Sequence, residues 1–85
     1  MTFSLPQVLE VTQQIGVDWT QVTFTPEDVL MGMQVELEHG TRDQMTNVTN
    51  DDPVLTAKIA LAHLNEFPDY YQRLKQMEAE AEGKE

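Results

Sequence analysis

Apolar residues recur at helical spacing in four segments of the chain. They lie three or four positions apart in residues 6–15, 26–39 and 53–66, and again from about residue 69 onward, which is the period of a helix with one buried face. Helix stop and start signals separate the segments, namely Gly16, Thr25-Pro26, Gly40 and Asp52-Pro53. The pattern predicts an all-α fold, a compact single domain of three to four short helices.

The apolar stripe of the third helix ends in a carboxylate. Leu55, Ile59 and Ala62 follow one another at spacings of four and three, and Glu66 comes four residues later. A carboxylate in such a position is costly unless it is hydrogen-bonded, paired or bound to a metal. We therefore expect Glu66 to face a partner in the interior.

The last large apolar residues lie in the fourth helix, where we expect Tyr70, Leu74 and Met77 to face the core. Residues 78–85 contain glutamate, alanine, glycine and one lysine, with no large apolar side chain. The sequence therefore predicts a helical domain over residues 1–77 and an acidic tail over residues 78–85 that frays into solvent.

Composition limits the classes of protein to which the chain can belong. Its 85 residues contain no cysteine, which excludes disulfides and thiolate metal sites. No apolar run approaches the roughly 18 residues of a membrane span, and the N-terminus lacks the basic and apolar parts of a secretory signal. We expect a cytoplasmic protein with no membrane association.

The charge is strongly negative, because 15 acidic residues oppose five basic ones and the net charge is -10. Direct binding of nucleic acid needs a cationic face for the phosphates, and the five basic residues are scattered along the chain. The charge argues against nucleic acid and fits a cationic protein partner, a divalent metal or simple solubility.

Two glutamate–histidine pairs are the most site-like feature. Glu36 precedes His39 by three residues and His63 precedes Glu66 by three, so each pair can share one face of a helix. If the two helices pack together, these four side chains can form a mononuclear site for zinc or another divalent metal. A buried hydrogen-bond network, which fixes helix register, is the alternative origin of the same pattern.

The polar loop between the second and third helices is a second metal candidate. Its oxygen-bearing side chains, Asp43, Asn47, Asn50, Asp51 and Asp52, are of the type that calcium prefers. Their spacing lacks the central glycine and the terminal glutamate of the twelve-residue calcium loop. Turn formation and helix capping explain the same residues.

Motifs of catalysis are missing from the sequence. There is no glycine-rich phosphate loop, no serine elbow and no zinc-protease motif, and Ser4 is the only serine. General acid–base chemistry by Glu66 with His63 is the one enzymatic arrangement that the residues suggest. We assign no catalytic residue and favour a binding protein over an enzyme.

Three stretches resemble a family of small bacterial and phage proteins that is catalogued as a domain of unknown function. They are 36–41 (ELEHGT), 46–53 (TNVTNDDP) and 58–71 (KIALAHLNEFPDYY). The resemblance implies a helical fold and no established activity. The sequence as a whole predicts a small acidic binding or interaction module with a Glu/His polar cluster; the alternative is a metal-binding protein using Glu36, His39, His63 and Glu66. Oligomeric state is left open.

Overall fold

A computed structural model describes residues 2–83 and contains four α-helices: α1 (Leu5–Ile15), α2 (Pro26–Glu36), α3 (Pro53–Glu66) and α4 (Tyr70–Ala81). Two short 3-10 turns, Leu37–His39 and Gln44–Thr46, lie in the connection between α2 and α3. No strand occurs in the described part of the chain. The predicted all-α class and number of helices are therefore confirmed.

Local capping explains where the helices begin. The hydroxyls of Ser4 and Thr25 accept hydrogen bonds from the backbone N–H three residues ahead. The side chains at those later positions, Gln7 and Asp28, in turn accept from the backbone N–H of the cap residue. The Asp52 carboxylate accepts from the backbone N–H of Leu55 in the same way. Such bonds satisfy N–H groups that have no partner within the helix. Each of these helices also has a proline in its first turn.

The end of α2 differs from the prediction in a way that affects the site. The sequence predicts a continuous helix to about His39, but the α-helix ends at Glu36 and tightens into the 3-10 turn Leu37–His39. A 3-10 turn places successive residues more tightly around the axis than an α-helix does. In this turn the Nε2 atom of His39 lies 3.3 Å from Glu38 Oε1 and 3.8 Å from Glu36 Oε1.

The core lies between α2 and α3, which form the most extensive helix contact, and α1 packs against both. Its fully buried members include Val8 of α1, Val29 and Met33 of α2, and Leu64 of α3. Phe3 and Phe24 cover the ends of this core from outside the helices. The fourth helix contributes Tyr71, which is 2% exposed.

The predicted inner face of α3 is wrong. Leu55 is 46% exposed, and Ala62 and Glu66 also lie at the surface. The helix instead buries a face made mostly of small residues, namely Thr56, Ala57, Ala60, Leu61 and Leu64. Both faces have helical spacing. The face made of small residues is the buried one because small side chains let α2 approach closely. Met77, which was expected in the core, is 57% exposed.

The C-terminal part of the chain continues α4 beyond the predicted domain boundary. The helix extends through Ala81, and Glu78, Glu80 and Ala81 are exposed. Residues 84–85 of the predicted tail lie outside the described residues, and the division at residue 77 stays a prediction. Among residues 2–83, no helix combines the length and the apolar character needed to cross a membrane.

Candidate functional site

Glu36 is a carboxylate buried in the core at the C-terminal end of α2. It is 4% exposed, and the hydroxyl of Tyr71 donates a hydrogen bond of 2.7 Å to its Oε2. Burial of a carboxylate is costly unless the group is hydrogen-bonded. A short hydrogen bond from a hydroxyl to a carboxylate is among the stronger hydrogen bonds in proteins. The Tyr71 hydroxyl therefore stabilises Glu36 in the interior.

Two imidazoles lie on either side of this carboxylate. The Nε2 atom of His39 is 3.8 Å from Glu36 Oε1, and the Nε2 atom of His63 is 3.8 Å from Glu36 Oε2. Both distances exceed a direct hydrogen bond. The two histidine side chains are 46% and 36% exposed, so they stand between Glu36 and solvent. We call Glu36, His39, His63 and Tyr71 the Glu36 cluster.

Tyr70 holds one of these imidazoles in place. Its ring stacks on that of His63, with centroids 4.2 Å apart and planes inclined by 7°. The Tyr71 ring meets Tyr70 edge to face at 4.9 Å, an arrangement favoured by the aromatic quadrupole. The adjacent tyrosines therefore have separate roles, since Tyr70 orients His63 and Tyr71 bonds Glu36.

The structure brings together three of the four predicted metal ligands. Glu36, His39 and His63 converge, whereas Glu66 is exposed at the last position of α3. Burial of Leu64 turns the Glu66 side of the helix outward, which corrects the expectation that Glu66 faces the interior. Within residues 2–83, no group of three or more histidine, aspartate or glutamate side chains is placed to hold a metal ion.

Tyr71 is the central residue whose role the sequence did not identify. Its ring lies against Gly32 of α2, where an added Cβ would overlap the ring and lie 3.0 Å from Cβ of Ala60. A glycine inside a helix is unfavourable by about 1 kcal/mol relative to alanine. Gly32 was therefore the available sequence signal that a neighbouring group approaches the backbone of α2 closely.

The environment of Tyr71 keeps its hydroxyl protonated. Burial raises the pKa of this phenol above its ordinary value of 10.0, and the hydrogen bond to Glu36 and the negative charge of that carboxylate raise it further. The hydroxyl is consequently a hydrogen-bond donor to Glu36 over the physiological range of pH.

The polar loop uses its oxygen atoms for capping. Both carboxylate oxygens of Asp51 accept from Thr41, one from the backbone N–H at 2.9 Å and one from the hydroxyl at 2.5 Å. Both hydrogen bonds lower the pKa of the Asp51 carboxyl, and the one from the hydroxyl has the larger effect. The side chains of Asp43, Asn47 and Asp52 accept from backbone N–H groups two or three residues ahead. These contacts support the interpretation of the loop as caps and turns.

An open apolar groove lies between α2 and α4. Its volume is about 590 Å³, and its apolar lining consists of Leu30, Met31, Val35, Tyr71 and Leu74. Its polar lining consists of Glu27, Gln34, Lys75 and Glu78. We call this feature the α2–α4 groove. Tyr71 belongs both to its lining and to the Glu36 cluster, so the two features share a wall.

Comparison with protein-family models gives one finding for this chain. A family model described as "Protein of unknown function (DUF5661)" matches residues 8–80. The matched range includes all four helices except the first three residues of α1 and the last residue of α4. No curated protein and no solved structure matches the chain.

Proposed function

The chain belongs to the DUF5661 family of proteins of unknown function, and we propose that it is a small binding module that holds a protein partner in the α2–α4 groove. The observation that carries the proposal is the groove itself, which is open, is lined mainly by apolar side chains and has a volume of about 590 Å³. It lies on a protein with 15 acidic residues. The proposal includes a bacterial or phage origin, which the resemblance of the sequence implies, and a cytoplasmic location, which the lack of a membrane span and of a secretory signal in the sequence favours.

The composition of the groove supports binding of a protein surface. Removal of the apolar area of the groove from water favours association with a partner. Met31 is 37% exposed, and a methionine adapts its flexible side chain to different apolar partners. Tyr71 gives the groove a rigid wall, because its hydroxyl is fixed by Glu36.

Replacing Met31 by glutamate tests this proposal. A charge buried in an apolar interface should reduce capture of a partner by roughly tenfold or more, since 1.4 kcal/mol already corresponds to that factor. Lysate capture at physiological salt by immobilised wild-type and M31E protein, with quantitative mass spectrometry, measures the change.

The matched control for this comparison is Leu55→Glu. Leu55 is 46% exposed on α3 and does not line the groove. We expect L55E to retain the partners of the wild type and to melt at a similar temperature to M31E. If M31E and L55E capture the same proteins in the same amounts, the groove is not the binding surface.

A mononuclear divalent-metal site is a second candidate function, and one specific observation favours it. The Nε2 atoms of His39 and His63 approach opposite oxygens of the single Glu36 carboxylate. Imidazole and carboxylate together suit zinc and related ions. The ligand atoms would have to move to about 2.0–2.2 Å from the ion, and for His63 this movement would disturb its stacking on Tyr70. Glu66, which is exposed at the last position of α3, would have to turn inward to complete the set.

Zinc titration of the protein purified without an affinity tag checks this candidate. We expect H39Q and H63Q to weaken zinc affinity by at least roughly tenfold, since even loss of an outer hydrogen-bond partner has an effect of that size. E66Q tests the fourth ligand, and the exposed Glu10 of α1 provides the control E10Q. An absence of stoichiometric zinc by elemental analysis, together with a melting temperature unchanged by chelator, would exclude the metal site.

A further inference from the structure

We infer that the occupant of the α2–α4 groove is a cationic amphipathic helix of a partner protein. This inference rests on the proposed function, because it specifies the chemistry of the partner that the groove receives. It is drawn from the shape of the groove, from the hydrogen-bonding groups that the groove offers, and from the distribution of charge around it.

The shape of the groove matches a helix. Its α2 side uses residues 27, 30, 31, 34 and 35, and its α4 side uses residues 71, 74, 75 and 78, which in each case is the surface of two helical turns. At 1.5 Å per residue these faces are about 10–12 Å long. A partner helix of two to three turns can lay an apolar stripe of similar length between them, as amphipathic helices do in other hydrophobic grooves.

The chemistry of the lining also favours a helix over an extended segment. The groove is formed by two α-helices whose backbone groups are used within the helices, and no strand edge lies in the described part of the chain. An extended peptide would bury backbone N–H and C=O groups without partners, which is costly. A helix satisfies its own backbone and needs only side-chain contacts.

The charge around the groove selects a cationic partner. Glu27 lies at the start of the α2 side and Glu78 at the end of the α4 side, and both are exposed. No lysine or arginine occurs in residues 76–83. The C-terminal end of α4, at Ala81, adds a partial negative charge to this surface. Lysine or arginine residues flanking the apolar stripe of a partner would meet this surface.

The same charge disfavours a second copy of the chain in the groove. Each copy has a net charge of -10, so a homodimer through this face would bring like charges together at the groove edges. Complementary potentials accelerate association and like-charged ones oppose it. Among residues 2–83, Lys75 is the one basic residue that lines the groove, and one lysine in each copy is insufficient to offset the repulsion between two copies.

Three matched peptides test the inference on the full chain. Each is a helix-forming peptide of about four turns, or roughly 14 residues, with the same leucine stripe, and the polar positions carry lysine, glutamine or glutamate. We expect affinity to fall in the order lysine, glutamine, glutamate, with at least tenfold between the first and the last at low salt. The difference should narrow as salt is added, because salt screens exposed charges. Backbone NMR shifts should centre on Met31, Leu74 and Lys75.

The outcomes separate the inference from the proposed function. Equal affinity of the lysine and glutamate peptides would overturn the cationic partner. If M31E and L55E both bind the lysine peptide as tightly as the wild type does, the groove is not the binding site of the peptide. NMR shifts confined to residues 79–83 would also overturn the groove as that site. Binding of none of the three peptides would overturn the amphipathic helix as occupant. In each case the lysate comparison of M31E with L55E decides separately whether the groove binds a protein.

Discussion

Replacing Tyr71 by phenylalanine should lower the free energy of unfolding by about 2 kcal/mol, the usual contribution of a hydrogen bond to a charged group. The substitution keeps the buried ring and removes the donor that lies 2.7 Å from Glu36 Oε2. The carboxylate would then remain buried with only the two imidazoles nearby, each 3.8 Å away. Urea unfolding followed by circular dichroism measures the loss. A domain of this size has a total stability of about 5–15 kcal/mol, so the loss is substantial.

A double-mutant cycle assigns this loss to the Tyr71–Glu36 bond. In a Glu36→Leu background the hydroxyl no longer has its acceptor, so Tyr71→Phe should have little further effect. Tyr70→Phe is the matched control, because Tyr70 is only half-buried and its contact with His63 is through the ring. An equal loss from Tyr71→Phe in both backgrounds would show that the hydrogen bond is not responsible.

Alkaline pH provides an independent measure of the surroundings of the Tyr71 hydroxyl, in which burial raises the pKa most and the hydrogen bond to Glu36 raises it further. The pKa of Tyr71 is raised in the folded protein above its ordinary value of 10.0, so its stabilising contribution is complete below that pH and is lost as the pH rises beyond it. The unfolded phenol ionises first, which favours unfolding of the wild type. The stability advantage of the wild type over Y71F should therefore decrease above pH 10 by about 1.4 kcal/mol for each pH unit. An advantage that stays constant with pH would contradict the raised pKa.

The starts of α2 and α3 and the end of α1 could be predicted because their signals are local. Thr25-Pro26 and Asp52-Pro53 begin α2 and α3 where the sequence indicated, and Gly16 ends α1 in the left-handed conformation, with φ of 97°. These signals depend on residues within one turn of each other, so they survive without knowledge of the fold. The convergence of His39 and His63 on Glu36 required one further assumption, that α2 and α3 pack together, which the structure shows.

The buried face of α3 could not be predicted from spacing alone. Leu55, Ile59 and Ala62 form one helical stripe, and Ala57, Ala60 and Leu64 form another, so the period of the pattern allows both. The choice depends on the approach of α2 through Gly32, which requires a small residue opposite. Since Glu66 continues the stripe that turned outward, its predicted interior position failed for the same reason. Which of the two adjacent tyrosines, Tyr70 or Tyr71, is buried against α2 also depends on this contact.

At Gly32, side chains of α3 and α4 both lie against the backbone of α2. An added Cβ would overlap the Tyr71 ring at Cε2, lie 2.9 Å from its Cζ and lie 3.0 Å from Cβ of Ala60. Neither neighbour can withdraw easily, because the Tyr71 hydroxyl is bonded to Glu36 and Ala60 is fully buried on the backbone of α3. The glycine therefore determines the depth at which the tyrosine enters, and through it the position of the phenol beside Glu36.

Gly32→Ala should accordingly destabilise the protein by about 2 kcal/mol. Overpacking in a filled core costs up to roughly 3 kcal/mol, and the better helix propensity of alanine offsets about 1 kcal/mol. Thermal and urea unfolding measure the change. In a Tyr71→Leu background the overlapping ring is gone and only the 3.0 Å contact with Cβ of Ala60 opposes the propensity gain, so the same substitution should destabilise the protein much less than it does in the wild type. If Gly32→Ala stabilised the wild-type protein as alanine does at an open helical position, Tyr71 would not enter against α2, and the geometry of the Glu36 cluster would have to be different.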